Sequence, residues 1–155
     1  MSLYTELMNH GASHTSFHEA LIKRFEPEEI CNTIKTLLAE PQHHDLARAL
    51  GDAGLSLYPE SEDMLVINAM MAMLRQDWDA VFEHMKPLLT VRGERTTAVS
   101  YRILVQALIK RLDYSSAYSV LTEALSRYPD DEDMQSVHIQ LLEWAERLDQ
   151  QQRPQ

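Results

Sequence analysis

The sequence predicts an all-α protein built as a stack of helical hairpins. Glycine is scarce, with 4 residues in 155, and leucine, methionine and alanine are common, which favours helices over a β-sandwich or barrel. Ten of the eleven residues in Met64–Leu74 are apolar, which predicts a helix that is covered on several sides but is too short to span a bilayer. A ten-residue segment at 55–64 also recurs at 125–134, so the hairpins are expected to repeat.

Length, charge and cysteine content exclude several classes of protein. The length predicts a single domain over residues 1–155, large enough to bury a substantial core. A net charge of -10, spread along the chain, argues against nucleic acid or an anionic membrane as a partner. The single cysteine, Cys31, excludes an internal disulfide framework. With no visible secretory signal at the N-terminus, these features predict a cytoplasmic protein.

Residues 1–26 are predicted to form an N-terminal helical segment. A short helix is expected around Leu3–Met8, and a second one over about Ser13–Phe25, with an apolar face made of Phe17, Leu21, Ile22 and Phe25. Pro27 suits the first position of the next helix, and two glutamates after it suit the positive end of that helix. The apolar stripe of this helix stops before Pro41 and consists of Ile30, Ile34, Leu37 and Leu38.

An internal repeat organises the rest of the chain. Residues 55–64 and 125–134 are identical at seven of ten positions, and their separation corresponds to two units of about 35 residues each. Between them, Asp77-Trp78 is echoed by Asp113-Tyr114, one such unit further along. A period of this length is typical of stacked helical hairpins, none of which buries its apolar face alone.

The chain resembles the tetratricopeptide repeat (TPR) family. The resemblance is clearest over 98–131, where the family pattern falls on Tyr101, Leu104, Leu108, Ala117, Leu121, Ala124 and Pro129. It implies a right-handed stack of about three TPR-like repeats, at 28–61, 62–97 and 98–131. The first two repeats depart from the family pattern, notably at Gly51, Gly54, Asn68 and Gly93. Pro87 lies inside the second helix of the middle repeat and is expected to bend or shorten it.

A closing helix is predicted over 131–148, followed by a frayed tail at 149–155. Asp130 or Asp131 suits its N-cap. Apolar residues recur along it at helical spacing, at Val137, Leu141, Trp144, Ala145 and Leu148. The opposite side is expected to face solvent, as the last helix of a repeat stack requires, and carries Glu143, Glu146 and Arg147.

No motif in the sequence predicts catalysis. It contains no phosphate-binding glycine loop, no nucleophile elbow and no paired-cysteine metal motif. His10, His14 and His18 are spaced four apart, but Gly11 weakens a helix there, and His43-His44 are adjacent and would point apart. Cys31 has no neighbouring base and is expected to be a small buried side chain. We therefore predict no enzyme activity, no cofactor and no metal.

In TPR proteins the first helix of each repeat lines a concave groove that binds a peptide or helix. The resemblance implies that the first repeat contributes Glu29, Asn32, Thr36 and Ala39 to this groove. The middle repeat contributes Asp63, Val66, Met70 and Met73, and the third contributes Val99, Arg102, Gln106 and Ile109. Arg102 is the only cation among these positions, so the basic clamp that grips a terminal carboxylate in some relatives is largely absent. Partner binding is predicted at Val66, Met70, Met73, Val99, Arg102, Gln106 and Ile109, with Arg102 and Gln106 as polar anchors.

The predicted function is protein–protein interaction, in which an apolar, methionine-rich groove binds an amphipathic helix or peptide. In size, acidity and groove character the chain is similar to the small bacterial TPR chaperones of type III secretion. The alternative is a structural scaffold or homodimer. In that case the groove is filled by a second copy or by the N-terminal helices through Phe17, Leu21 and Phe25, and Met70 and Met73 belong to the core.

Overall fold

The computed structural model describes residues 2–9 and 19–152, and within these ranges the chain is all-α, without a strand. The α-helices are α1 (Leu3–Asn9), α2 (Glu19–Ile22), α3 (Pro27–Leu38), α4 (His44–Leu57), α5 (Glu62–Leu74), α6 (Trp78–Met85), α7 (Ala98–Lys110), α8 (Tyr114–Arg127) and α9 (Glu132–Gln152). Short 3₁₀ segments precede α4 and follow α6, at Pro41–His43 and Lys86–Leu89. None of the described helices is both long enough and apolar enough to cross a membrane.

The helices group into two compact units, Met1–His84 and Met85–Gln155. In the first unit α3, α4 and α5 pack against one another, with α1 against α3 and α2 against α4. In the second unit α8 packs between α7 and α9. The successive pairs α3–α4, α4–α5, α7–α8 and α8–α9 pack in the antiparallel manner, so α3 and α5 run parallel to each other. The single-domain organisation stays a prediction.

The two units share a three-helix arrangement that follows the sequence repeat. Helices α3, α4 and α5 correspond to α7, α8 and α9, and the starts of α4 and α5 precede those of α8 and α9 by the same offset that separates segments 55–64 and 125–134. The Tyr58 hydroxyl donates to the backbone oxygen of Phe25 at 2.8 Å, and the Tyr128 hydroxyl donates to that of Thr96 at 2.6 Å. Each tyrosine thus ties the end of one helix to the chain just before its partner helix.

The turns between the helices repeat as well. Ser61 and Asp131 cap α5 and α9, since their side-chain oxygens accept from the backbone N–H groups of Met64 (3.3 Å) and Met134 (3.0 Å). The turns before α6 and α8 each contain a residue with positive φ, Gln76 and Leu112, followed by an aspartate. The carboxylates of Asp77 and Asp113 each accept a hydrogen bond at 3.2 Å from the backbone N–H three residues later. The repeat seen in the sequence is therefore also a repeat of backbone geometry.

Helices α4 and α5 pack unusually closely at two glycines. A Cβ on Gly51 would lie 2.5 Å from the Met71 methyl carbon and 2.7 Å from the Asn68 side-chain oxygen. The Asn68 amide donates to the backbone oxygens of Gly51 (3.2 Å) and Met64 (2.8 Å), so this buried polar side chain is satisfied. Gly51 and Asn68, which both depart from the TPR pattern, are thus complementary in space.

Three helix ends differ from or refine the predictions. The predicted helix to Phe25 was too long, since α2 ends at Ile22. The chain is extended at Glu26, the residue that Pro27 restricts. Residues 149–152, predicted to be frayed, continue α9 as helix through glutamines that favour it. Helix α6 ends at Met85 and is followed by the 3₁₀ segment Lys86–Leu89, which contains Pro87. Pro87 therefore shortens this helix, as the sequence predicts.

Candidate functional site

Helix α5 exposes a single strip of side chains. All 13 of its residues are described, and every one that is not buried lies on the same arc of the helix. The arc begins with two acidic residues and continues with four apolar ones: Glu62, Asp63, Val66, Met70, Met73 and Leu74. Met70 is 38% exposed and Leu74 is 69% exposed, so these large apolar side chains lie outside the packed core.

The exposed strip of α5 lies beside the exposed side of α3. The two helices pack together, and the Cys31 thiol of α3 donates to the backbone oxygen of Asp63 at 3.4 Å. Helix α4 contacts both helices from the opposite side, so their open sides form one surface. We call this surface the α3/α5 face and define it by Glu29, Asn32, Thr36, Val66, Met70, Met73 and Leu74. Ala39 is exposed just beyond the end of α3.

Helix α1 borders the α3 side of this face. The Glu29 carboxylate accepts from the Leu3 backbone N–H at 3.4 Å, and Arg24 pairs with Glu6 of α1 at 2.5 Å. Between α1 and α3 lies an open pocket of about 600 Å³, lined by Ser2, Tyr4, Glu26, Glu28, Glu29, Asn32, Thr33 and Thr36. Its described lining contains three glutamates and neither lysine nor arginine.

The N-terminal helices were the predicted alternative occupant of the groove. Helix α1 packs on α3 and α2 packs on α4, and Ile22 and Phe25 are buried in the core of the first unit. Leu21 is partly buried against the same core, whereas Phe17 lies outside the described residues. With these helices in place, Met70 keeps its 38% exposure.

The repeat offers an internal comparison for the α5 strip. Helix α9 occupies the equivalent position in the second unit, and its residues at the positions of Val66, Met70 and Met73 are polar: Ser136, Gln140 and Glu143. The buried positions are instead alike, since Met64 and Met134 are both buried, as are Met71 and Leu141. Leu74 corresponds to Trp144, which is half-buried and packs on Tyr114. The apolar side chains at Val66, Met70 and Met73 therefore distinguish α5 from α9.

In the second unit, the predicted binding positions lie on the exposed side of α7. Val99 and Gln106 are exposed, while Arg102 and Ile109 are half-buried. Arg102 donates to a carboxylate oxygen of Asp131 at 2.9 Å, and the other oxygen of Asp131 caps α9. Arg102, predicted as a polar anchor for a partner, is thus bound within its own unit, through a long-range pairing that the sequence does not indicate.

Helix α9 has an exposed apolar patch that the sequence reasoning missed. Ile139 is 56% exposed and Leu142 is 39% exposed, although the outer side of this closing helix was predicted to be polar. The repeat-equivalent residues of α5, Ala69 and Ala72, are fully buried. Leu74, four residues after Met70, was also missed; the i, i+4 spacing of exposed apolar residues was the available signal.

The described residues offer little for catalysis or metal binding. Burial, followed by the nearby Asp63 carboxylate, raises the pKa of the Cys31 thiol to about 12, so this cysteine stays protonated and is a poor nucleophile at neutral pH. Within residues 2–9 and 19–152, no cluster of three or more His, Cys, Asp or Glu side chains is placed to hold a metal ion. His10, His14 and His18 lie outside these ranges.

Comparison of the chain with protein-family models, with curated proteins and with solved structures gives no match. The features of this chain that bear on its function are therefore the geometry of the α3/α5 face and the internal repeat.

Proposed function

We propose that this chain is a cytoplasmic, non-catalytic binding module, built as a right-handed TPR-like stack, whose α3/α5 face binds an amphipathic helix of a partner protein. The observation that carries the proposal is the apolar strip of Val66, Met70, Met73 and Leu74 on α5, because the first three of these positions are polar on α9. An exposed apolar strip of this kind is a common mark of a protein-binding surface.

The spacing and chemistry of the strip suit a helical ligand. Met70 lies four residues after Val66, and Met73 and Leu74 lie three and four residues after Met70, so the four side chains share one side of α5. An amphipathic helix can lay its apolar face against such a surface. Methionine adapts its shape to a partner because its side chain is unbranched and polarisable. Burying one such side chain contributes roughly 1.5–3 kcal/mol, so the strip can dominate an interface even when flanking polar contacts contribute little.

A chaperone role is the form of this proposal that the TPR resemblance favours. In the small TPR chaperones of type III secretion, which the chain resembles in size and acidity, an apolar groove shields a partner segment. Here the α3/α5 face would cover an aggregation-prone amphipathic helix of a secreted subunit until its export. In this role the partner would be released after binding rather than chemically converted.

Substitution of Met70 by glutamate is expected to abolish partner capture without unfolding the protein. The substitution places a carboxylate in the centre of the apolar strip. The partner then no longer buries a methionine there, and binding must desolvate a charge. We expect the affinity for the partner to fall by roughly 10- to 150-fold or more. The measurement is co-purification from the native organism with mass spectrometry, together with circular dichroism of the purified variant.

Gln140→Glu is the matched control, because Gln140 is the exposed repeat equivalent of Met70 on α9. A partner recovered with the wild type and with Gln140→Glu, but lost with Met70→Glu, supports the proposal. Equal recovery with a folded Met70→Glu variant would contradict it. Unfolding of Met70→Glu would show instead that Met70 is part of the structural core, and the α3/α5 face would lose its main support.

Self-association is a second candidate function, favoured by the exposed Ile139 and Leu142 on α9. Sedimentation velocity over a wide concentration range separates the two candidates. The binding-module proposal expects a monomer, whereas a scaffold joined through α9 forms a dimer that Ile139→Glu dissociates. Val91→Glu is the control, since Val91 is 74% exposed and lies outside α9, so this substitution should leave any such dimer intact.

A further inference from the structure

We infer that the helix bound by the α3/α5 face is basic, with lysine or arginine side chains flanking its apolar residues. This inference rests on the proposed function and concerns the chemistry of the partner. Its basis is the distribution of charge over the chain and over the face itself.

The negative charge of the chain is concentrated in the first unit. Residues 1–84 carry 14 acidic and 5 basic side chains, a net charge of -9, whereas residues 85–155 carry 10 acidic and 9 basic ones, a net charge of -1. Nearly all of the total of -10 thus belongs to the unit that carries the α3/α5 face. A field of this sign attracts cationic ligands and repels anionic ones.

The charge is also polarised along the face. Because α3 and α5 run parallel, their N-terminal ends lie at the same end of the surface. Acidic residues occupy the first turn of both helices, at Glu28, Glu29, Glu62 and Asp63, and Glu26 joins them in the adjoining pocket. The exposed cations Lys35 and Arg75 lie toward the opposite end. An occupant therefore meets carboxylates at one end of the apolar strip.

Acidic residues in the first turn of a helix also have a structural role, since they compensate the helix dipole. Each helix N-terminus is equivalent to roughly half a positive charge, so two helices offset about one of these carboxylates. Five carboxylates lie at this end, so they outnumber the charge that the two helix dipoles offset. The same sign disfavours a second copy of this chain as the occupant, because each copy carries a net charge of -10.

Three fluorescently labelled peptides, each long enough to form about five helical turns, test the inference by fluorescence anisotropy. They share one helical apolar face of leucine and alanine and differ only in the other face, which carries lysine, glutamine or glutamate. We expect the lysine peptide to bind about tenfold more tightly than the glutamine peptide at ~20 mM salt, and the glutamate peptide to bind more weakly than either. At ~0.5 M salt the three affinities should converge, because screening removes the electrostatic term.

A matched pair of variants assigns the effect to the face. Glu28→Gln combined with Asp63→Asn removes two charges beside the strip and should remove most of the preference for lysine over glutamine. Asp130→Asn combined with Asp133→Asn removes two exposed charges from the second unit and should leave the preference unchanged.

The outcomes separate this inference from the proposed function. If the lysine and glutamine peptides bind equally well and Met70→Gln weakens both, the inference of a basic partner is overturned, but the proposed binding module is supported. Failure of all three peptides to bind overturns both. An equal loss of preference in both double variants overturns the assignment to the α3/α5 face, because the effect would then reflect the net charge of the chain.

Discussion

Replacement of Gly51 by valine is expected to lower the free energy of unfolding of the first unit by about 3 kcal/mol or more. The Cβ alone would lie 2.5 Å from the Met71 methyl carbon and 2.7 Å from the Asn68 side-chain oxygen, and valine adds two methyl groups to that contact. Met71 ends in a flexible chain and can move. Asn68 cannot move freely, because its amide is held by the backbone oxygens of Gly51 and Met64.

Urea denaturation followed by circular dichroism measures this effect, and Gly93→Val is its control. A Cβ on Gly93 meets no atom within 4 Å, so valine there should change stability by less than about 0.5 kcal/mol. Gly51→Ala is expected to fall between the two, since overpacking is partly offset by the better helix propensity of alanine. A Gly51→Val variant as stable as Gly93→Val would show that α4 and α5 do not approach as closely as described.

Most of the helical framework could be predicted from the sequence because its signals are local. The recurring segment at 55–64 and 125–134 predicts the ends of α4 and α8, the turns after them and the caps of α5 and α9. All of these features lie within the segment itself or within a few residues of it. Pro87 similarly predicts a break that depends only on the ring and on the missing N–H. Local backbone chemistry thus identifies the elements and their order.

The contacts between residues that are distant in sequence could not be predicted from such local signals. Asn68 and Gly51 each depart from the family pattern, and only their approach in space shows that each accommodates the other. From the sequence, Arg102 is expected to be a cation available to a partner. In the structure it pairs instead with Asp131, the residue that caps α9, at 2.9 Å. Ile139 and Leu142 lie away from the predicted apolar stripe of α9, on the side that was predicted to be polar, and the structure exposes both of them.

The candidate site was predictable in outline from the same repeat register. That register assigns Val66, Met70 and Met73 to one side of α5, which is the side on which the structure exposes them. Whether such a side is open depends on tertiary packing, since the equally apolar Ile67 and Met71 of the same helix are buried. A helix that is apolar all round does not specify which of its faces a neighbour will cover.

Replacement of Glu123 by alanine is expected to destabilise the second unit by about 2–4 kcal/mol. The Glu123 carboxylate accepts from the Tyr101 hydroxyl at 2.7 Å and from the Arg92 guanidinium at 2.7 Å. Tyr101 is fully buried, so its hydroxyl would be left without this partner. Arg92, which also donates to the backbone oxygens of Leu88 and Leu89, would lose the carboxylate that orients it. Urea denaturation measures the loss, and exposed Glu146→Ala is the control.

The pH dependence of stability separates the charge of Glu123 from its packing. The hydrogen bonds from Arg92 and Tyr101 hold the pKa of Glu123 below its ordinary value of 4.5, so the folded state favours the ionised carboxylate. The wild type should therefore be more stable than Glu123→Gln at pH 7. The difference is fully present above pH 4.5 and shrinks as the pH falls through the lowered pKa. Since the side chain is 36% exposed, solvent screening keeps the charge effect to about 1–2 kcal/mol. A difference that stays constant from pH 7 to pH 3 would show that the carboxylate acts through its shape alone.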